Sequence, residues 1–171
     1  MAERLLSSED LGRVLKRLAA EIAERVPGAA GLVGIRRGGV PAAMRIATLL
    51  GEAERRTVPV GAIDIALYRD DAAVAPPDPK IGPSRVEFAV EGKDIVLVDD
   101  VLMTGRTVRA AIDSLMDYGR PRRIWLAVLV DRGGRELPIA PDFVGRALDA
   151  PRGKKVIVEL EGEREGAWSE P

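Results

Sequence analysis

The stretch Ile95-Val96-Leu97-Val98-Asp99-Asp100-Val101-Leu102-Met103-Thr104-Gly105-Arg106-Thr107 decides how the rest of the chain is read. Its first four residues are wholly apolar, as in a strand buried on both faces. An acidic pair follows where such a strand emerges at its carboxyl end, the edge at which open α/β sheets place ligands. A carboxylate accepts from both vicinal hydroxyls of a ribose, and adjacent carboxylates tolerate full ionisation better with Mg²⁺ or a cationic group close by. Contact of Asp99 and Asp100 with a metal through water is compatible with this. Four residues on, Thr104-Gly105-Arg106-Thr107 opens a predicted helix that runs to about Tyr118 and stops at Gly119. Bare backbone N–H groups, two hydroxyls and the positive end of the helix dipole suit a phosphate there, and Gly105 allows close backbone approach. The stretch therefore predicts a site for a sugar 5-phosphate with free vicinal hydroxyls.

Working outward, the chain alternates strands with helices. Upstream, Leu11, Val14, Leu15, Leu18 and Ile22 follow Ser8 at helical spacing, with Ser8 as the expected N-cap and a stop before Pro27-Gly28. Gly31-Leu32-Val33-Gly34-Ile35 reads as a buried strand, followed by a tight Arg36-Arg37-Gly38-Gly39 loop and a helix with Pro41 in its first turn. Residues 58–68 predict a strand and residues 86–90 an exposed, alternating one. Between them, residues 70–85 hold four prolines and predict a mobile loop. Downstream, residues 123–130 predict a strand, and Val156, Val158 and Leu160 alternate in a last one. The fold class implied is α/β, an open and mainly parallel sheet with helices on both faces, in one domain spanning residues 1–171.

Composition narrows the chemistry. The chain has 171 residues, 46% of them apolar, and no cysteine, so neither disulfides nor thiolate metal sites are available. Histidine is also absent, which excludes Ser-His-Asp and His-metal chemistries and leaves Asp, Glu, Lys, Tyr or the substrate as proton carriers. No stretch approaches a membrane span and no leader pattern is visible, so a soluble cytoplasmic protein is expected. Asparagine and glutamine are missing and arginine outnumbers lysine 21 to 5, a pattern expected of a thermophile. Net charge is −1, yet residues 119–155 hold nine Arg/Lys against four Asp/Glu, whereas residues 156–171 hold one Arg against five Glu. A local basic face is expected rather than a generally basic protein.

Residues 96–107 resemble the phosphoribosyl-diphosphate (PRPP) motif of type I phosphoribosyltransferases. Within that superfamily, Asp64-Ile65-Ala66-Leu67-Tyr68-Arg69-Asp70-Asp71 and Leu129-Val130-Asp131-Arg132-Gly133-Gly134-Arg135-Glu136-Leu137-Pro138-Ile139 resemble the PyrR family, bacterial pyrimidine operon attenuators that are also uracil phosphoribosyltransferases. The likeness runs from the first helix to the last strand. It implies that Asp99 and Asp100 hold the ribose hydroxyls, the catalytic pair, with Mg²⁺ as cofactor. It also implies that Val101, Leu102, Met103, Thr104, Gly105, Arg106 and Thr107 cradle the 5-phosphate and nucleotide. By the same likeness Arg36, Arg37 and Gly38 belong to the pyrophosphate loop, and residues 69–87, with Arg69, to a flexible lid that closes during transfer. The base is expected near Arg132 and Val156. Purine-salvage relatives carry Asp where Met103 stands, and a thioether neither hydrogen-bonds a purine in that way nor takes its proton, which favours a pyrimidine. Gly134 and Gly38 depart from the usual family residues, histidine and arginine, with Arg36 or Arg37 a substitute for the latter.

The family's second activity implies that leader mRNA of a pyrimidine operon is a partner, with UMP binding tightening the RNA complex. Arg13, Lys16, Arg17, Arg132, Arg135 and Arg146 are the candidate RNA contacts. A homo-oligomer, dimer or higher, is expected so that basic segments meet across a subunit contact. The alternative is a salvage enzyme for hypoxanthine or xanthine with no RNA role.

Overall fold

The computed structural model describes residues 2–65, 84–151 and 153–171. Strands β1 (Glu3–Leu6), β2 (Gly31–Ile35), β3 (Val60–Ile63), β4 (Asp94–Leu102), β5 (Arg123–Asp131), β6 (Phe143–Ala147), β7 (Lys155–Glu159) and β8 (Gly166–Glu170) alternate with helices α1 (Ser8–Arg25), α2 (Gly39–Glu54) and α3 (Arg106–Met116). The central sheet runs β3-β2-β4-β5-β6, and every one of its pairings is parallel. Alternate residues of β4 serve two cores. Val96 and Val98 join α1 and α2 on one face, whereas Ile95 and Leu97 join α3 on the other. A strand buried this way must be apolar throughout, which is why residues 95–98 were readable.

A second sheet, β1-β8-β7, is antiparallel and separate from the first. The alternating segment that starts at Val156 is thus a strand, but it belongs to this smaller sheet and not to the parallel one. Its apolar side does not stand alone: Val156, Val158, Leu160 and Ala167 pack into the core beneath α1 and α2.

Several boundaries differ from expectation for local reasons. Ser7, not Ser8, caps α1, in a capping box with Asp10. Helix α3 begins at Arg106 because Gly105 adopts a left-handed backbone with φ 91°, which Thr104-Gly105 uses as a loop rather than a first turn. Residues 86–90 form no strand. Val86, Phe88 and Val90 still turn inward in alternation, and only Arg85 pairs with the sheet, through an isolated antiparallel bridge to Ala62. The expected lid falls on residues 69–87, of which 69–83, including Arg69, lie outside the described residues. Its downstream end is tied to β3 by that bridge and by the Asp64 N–H donating to Ser84 Oγ at 2.9 Å. Among the described residues no helix is long and apolar enough to cross a membrane.

Candidate functional site

A cleft of about 650 Å³ opens at the carboxyl end of the parallel sheet. Three walls enclose it: the end of β4 with the loop leading into α3, the loop between β2 and α2, and the first residues of β7. The structure thereby gathers Arg36, Arg37, Gly38, Asp99, Asp100, Met103, Thr104 and Arg132 around one space, although they come from segments far apart in sequence.

The acidic pair is held by its own backbone. Asp100 N–H donates to Asp99 Oδ1 and Val101 N–H to Asp100 Oδ1, both at 2.9 Å. Asp99 is only 6% exposed, whereas Asp100 is half-buried. Gly38 lies against Asp100 so closely that a Cβ at position 38 would stand 2.1 Å from Asp100 Oδ2. The neighbouring Arg36-Arg37 peptide is cis, and Arg36 Nε is buried without a hydrogen-bond partner among the described residues. A buried guanidinium nitrogen left unpaired calls for an acceptor, and the cleft is where one would come from. For a divalent ion, Asp99 and Asp100 offer hard oxygen donors, but no group of three acidic side chains gathers among the described residues. Such a pair fits Mg²⁺ that keeps several waters and rides on a ligand's phosphates, not an all-protein cage.

Opposite the acids, the Thr104–Thr107 turn is buttressed from a distant segment. Glu136 and Leu137 N–H groups both donate to the Thr104 carbonyl at 3.0 Å, and Arg106 Nε reaches Glu136 Oε2 at 2.9 Å. Gly105 faces Ile139, whose side chain would lie 3.0 Å from an added Cβ. The backbone amides at the start of α3 thus stay at the mouth of the cleft. Arg106 turns away toward Glu136 and the outer groove of α3, so it lines the neighbouring surface and not the cleft.

The base-side residues are fixed differently from expectation. Arg132 is 7% exposed, and it donates through NH1 to the Lys154 carbonyl at 2.6 Å and through NH2 to that of Pro151 at 3.3 Å. This ties the start of β7 to the end of β5 and removes Arg132 from any outer RNA-facing surface. Arg135 is likewise engaged: it donates to both oxygens of Asp131, at 3.0 and 2.7 Å, and to the Met103 carbonyl at 2.8 Å. Burial pushes the Asp131 carboxyl up, but the Arg135 hydrogen bonds, the Gly133 N–H and the Arg135 charge outweigh it and hold the group below its usual range.

The remaining cations collect elsewhere. Arg13, Lys16 and Arg17 are exposed on α1, and Arg146 is exposed on the adjacent β6. Arg17 donates to the carbonyls of Val144 and Gly145, and Arg146 and Arg13 both add to the lowering of the Asp10 carboxyl, for which the Ser7 hydrogen bonds are the main cause. Acidic neighbours Glu9, Asp10 and Glu21 pair with Arg13 and Arg17. Lys155 and Ile157 of β7 also line the cleft and were not anticipated, because nothing in a period-2 strand says which ligand it faces.

The phosphoribosyl transferase domain family matches residues 1–159. A protein of Roseiflexus sp. (strain RS-1) named Bifunctional protein PyrR is 52% identical over 160 residues, covering 92% of this chain and 87% of its own. The same name belongs to a relative in Thermus thermophilus, 50% identical over 175 residues, with 95% and 97% covered. Among solved structures, a hypoxanthine-guanine phosphoribosyltransferase of Bacillus anthracis superposes with a TM-score of 0.72 at 17% identity, covering 98% of this chain and 96% of that one. The hypoxanthine phosphoribosyltransferase of Trypanosoma cruzi gives 0.69 at 18% identity, with 97% and 94% covered. At such low identity these two structures speak for the fold alone.

Proposed function

Because the chain belongs to the PyrR family of phosphoribosyltransferases, we propose that it transfers the phosphoribosyl group of PRPP to uracil, giving UMP and diphosphate, and that UMP tunes its affinity for pyrimidine operon leader mRNA. The observation that carries the enzymatic half is the cleft itself: a buried and a half-buried carboxylate on one lip, the N-terminus of α3 on another, and on the third a loop whose Arg36 Nε is buried without a partner among the described residues. Asp99 and Asp100 accept from the ribose hydroxyls. Residues 104–107 receive the 5-phosphate, with Val101 and Leu102 forming the floor. Arg36, Arg37 and Gly38 hold the diphosphate, and Met103, Arg132 and Val156 border the base. Arg69 and most of the expected lid, residues 69–83, lie outside the described residues. Mg²⁺, held at Asp99 and Asp100 through water, would neutralise charge on the diphosphate.

In the reaction the C1′–O bond lengthens and positive charge grows on the ribose, which the carboxylates of Asp99 and Asp100 offset. Arg36 and Arg37 donate to the leaving diphosphate while uracil N1 closes on C1′ from the β7 side. No covalent intermediate with the protein is needed. Met103, 42% exposed at the cleft, favours uracil over hypoxanthine because a thioether offers a purine no proton acceptor of useful strength. Incubation with uracil, PRPP and Mg²⁺ is expected to give UMP by chromatography, and Asp100→Asn to slow it by about a hundredfold or more. No UMP across pH and temperature refutes this half.

The regulatory half assigns RNA contacts to Arg13, Lys16, Arg17 and Arg146 on the α1–β6 face, in a homo-oligomer of two or more copies. Linkage requires UMP and RNA to tighten each other by the same factor. Titration of leader RNA with and without UMP tests it, and identical affinities would sink it. We further assign the protein to the cytoplasm of a thermophile, as one domain over residues 1–171.

A further inference from the structure

With phosphate, ribose and diphosphate assigned, the wall left for the base comprises Met103, Arg132 and the start of β7. Among the described residues, nothing on that wall is ready to accept a proton. Asp131 is clamped by Arg135, Glu136 pairs with Arg106, and the chain has no histidine. Yet uracil N1 carries a proton that must depart before its electron pair can form a bond. What the wall does supply is positive charge. Lys155 opens β7, is exposed and lines the cleft, and it has no ion-pair partner among the described residues. Its neighbours are otherwise engaged: Glu170, opposite it across the β7–β8 ladder, pairs with Arg164 at 3.1 Å, and Lys154 lies 3.9 Å from Glu3.

We propose that Lys155 is a catalytic residue that binds the pyrimidine as its N1 anion, its ammonium set against a ring carbonyl oxygen where the negative charge is shared. This rests on the uracil phosphoribosyltransferase reading above. The N1 proton passes to bulk water, the freed N1 pair forms the bond to C1′, the C1′–O bond breaks, and that electron pair leaves with the diphosphate. The other charged groups around the cleft make a cation necessary at this point. Asp99 and Asp100 on β4 repel an anionic ring, Arg36 and Arg37 face the diphosphate, and Arg132 spends NH1 and NH2 on backbone carbonyls while adding a fixed positive charge behind the base.

The test compares wild type, Lys155→Met and Lys155→Arg with uracil and with 5-fluorouracil, whose ring ionises more readily. Lys155→Met is expected to lower kcat/KM for uracil at least about tenfold at neutral pH. The loss in kcat at saturating base, which reports ionisation of the bound ring, should shrink as pH rises and be smaller for 5-fluorouracil, and Lys155→Arg should recover most of it. UMP, whose ring is bound neutral, should lose much less affinity on Lys155→Met, by calorimetry, than the uracil reaction loses in rate, whereas a merely disturbed strand would weaken both alike. Equal losses for both bases at every pH, no loss, or UMP binding weakened as much as catalysis overturns the proposal. An active wild type with unaffected Lys155→Met sinks this inference alone; an inactive wild type sinks the parent reading and this one with it.

Discussion

A Cβ built at Gly38 would stand 2.1 Å from the Asp100 carboxylate, so a side chain at this position requires that carboxylate to turn aside. Since the obstructing atom ends a short flexible side chain, Gly38→Ala should leave the melting temperature almost unchanged while swinging the carboxylate off the ribose. Misplacement on the ångström scale costs about a hundredfold in kcat/KM. An active variant, or a melting temperature lowered as far as by a core truncation, would refute this account. A second residue-scale prediction concerns Asp131, whose native pKa lies below its ordinary value of 3.8. A depressed carboxyl stabilises the fold above its unfolded pKa, and that stabilisation fades as pH falls through the native value. The melting-temperature gap between wild type and Asp131→Asn should therefore be full at neutral pH and close as pH drops below 3.8. A gap independent of pH would show that the Arg135 clamp contributes nothing through charge. Of the two sites, the acidic pair was legible in sequence because strand, acids, turn and helix are contiguous. The clamp was not, since Asp131 and Arg135 sit four apart outside any helix, where spacing predicts no contact.

At the scale of elements, α1 lies on β6 across Gly145, where a Cβ would stand 2.3 Å from the Leu129 carbonyl oxygen and 2.5 Å from Val14 Cγ1. The first of these is backbone and cannot swing aside. Gly145→Ala should therefore destabilise the protein by about 1–3 kcal/mol in urea unfolding, the usual cost of overpacking. A neutral result would mean that α1 is free to lift away from β6. Strand β6 itself escaped the sequence reading, as did β1 and β8. Each has four or five residues, and β6, at the edge of its sheet, turns only Phe143 and Gly145 fully inward, too few positions to establish a period. Strands β2 and β4 were legible for the opposite reason, since covered faces leave them apolar runs. Strand β7 was recognised as a strand, but its pairing in a second, antiparallel sheet was not: alternation reports a buried side and is silent about the pairing partner.

Across the whole molecule, the small antiparallel sheet depends on the larger unit for its core. Each sheet carries one tryptophan. Trp125 lies on β5 between Arg123, 4.7 Å from its ring centre, and Phe143, and Trp168 lies on β8 between Arg4 at 4.7 Å and Arg164 at 5.2 Å. Val156, Val158, Leu160 and Ala167 share a core with α1 and α2, and Arg132 ties the start of β7 to β5, so the small sheet has no apolar interior of its own. Three short strands need a covered apolar face to be stable, and this sheet finds that cover in the core it shares with α1 and α2. Trp125→Phe and Trp168→Phe variants, each with one reporter, should thus unfold at the same urea concentration once corrected for their own stabilities. Arg132→Met should shift both transitions together, because it strands two backbone carbonyls at a junction that both reporters share. Were Trp168 to change at lower denaturant than Trp125, the small sheet would be an independent cover over the cleft, and the joint placement of Lys155 and Asp100 around one ligand would have to arise after folding, not from it.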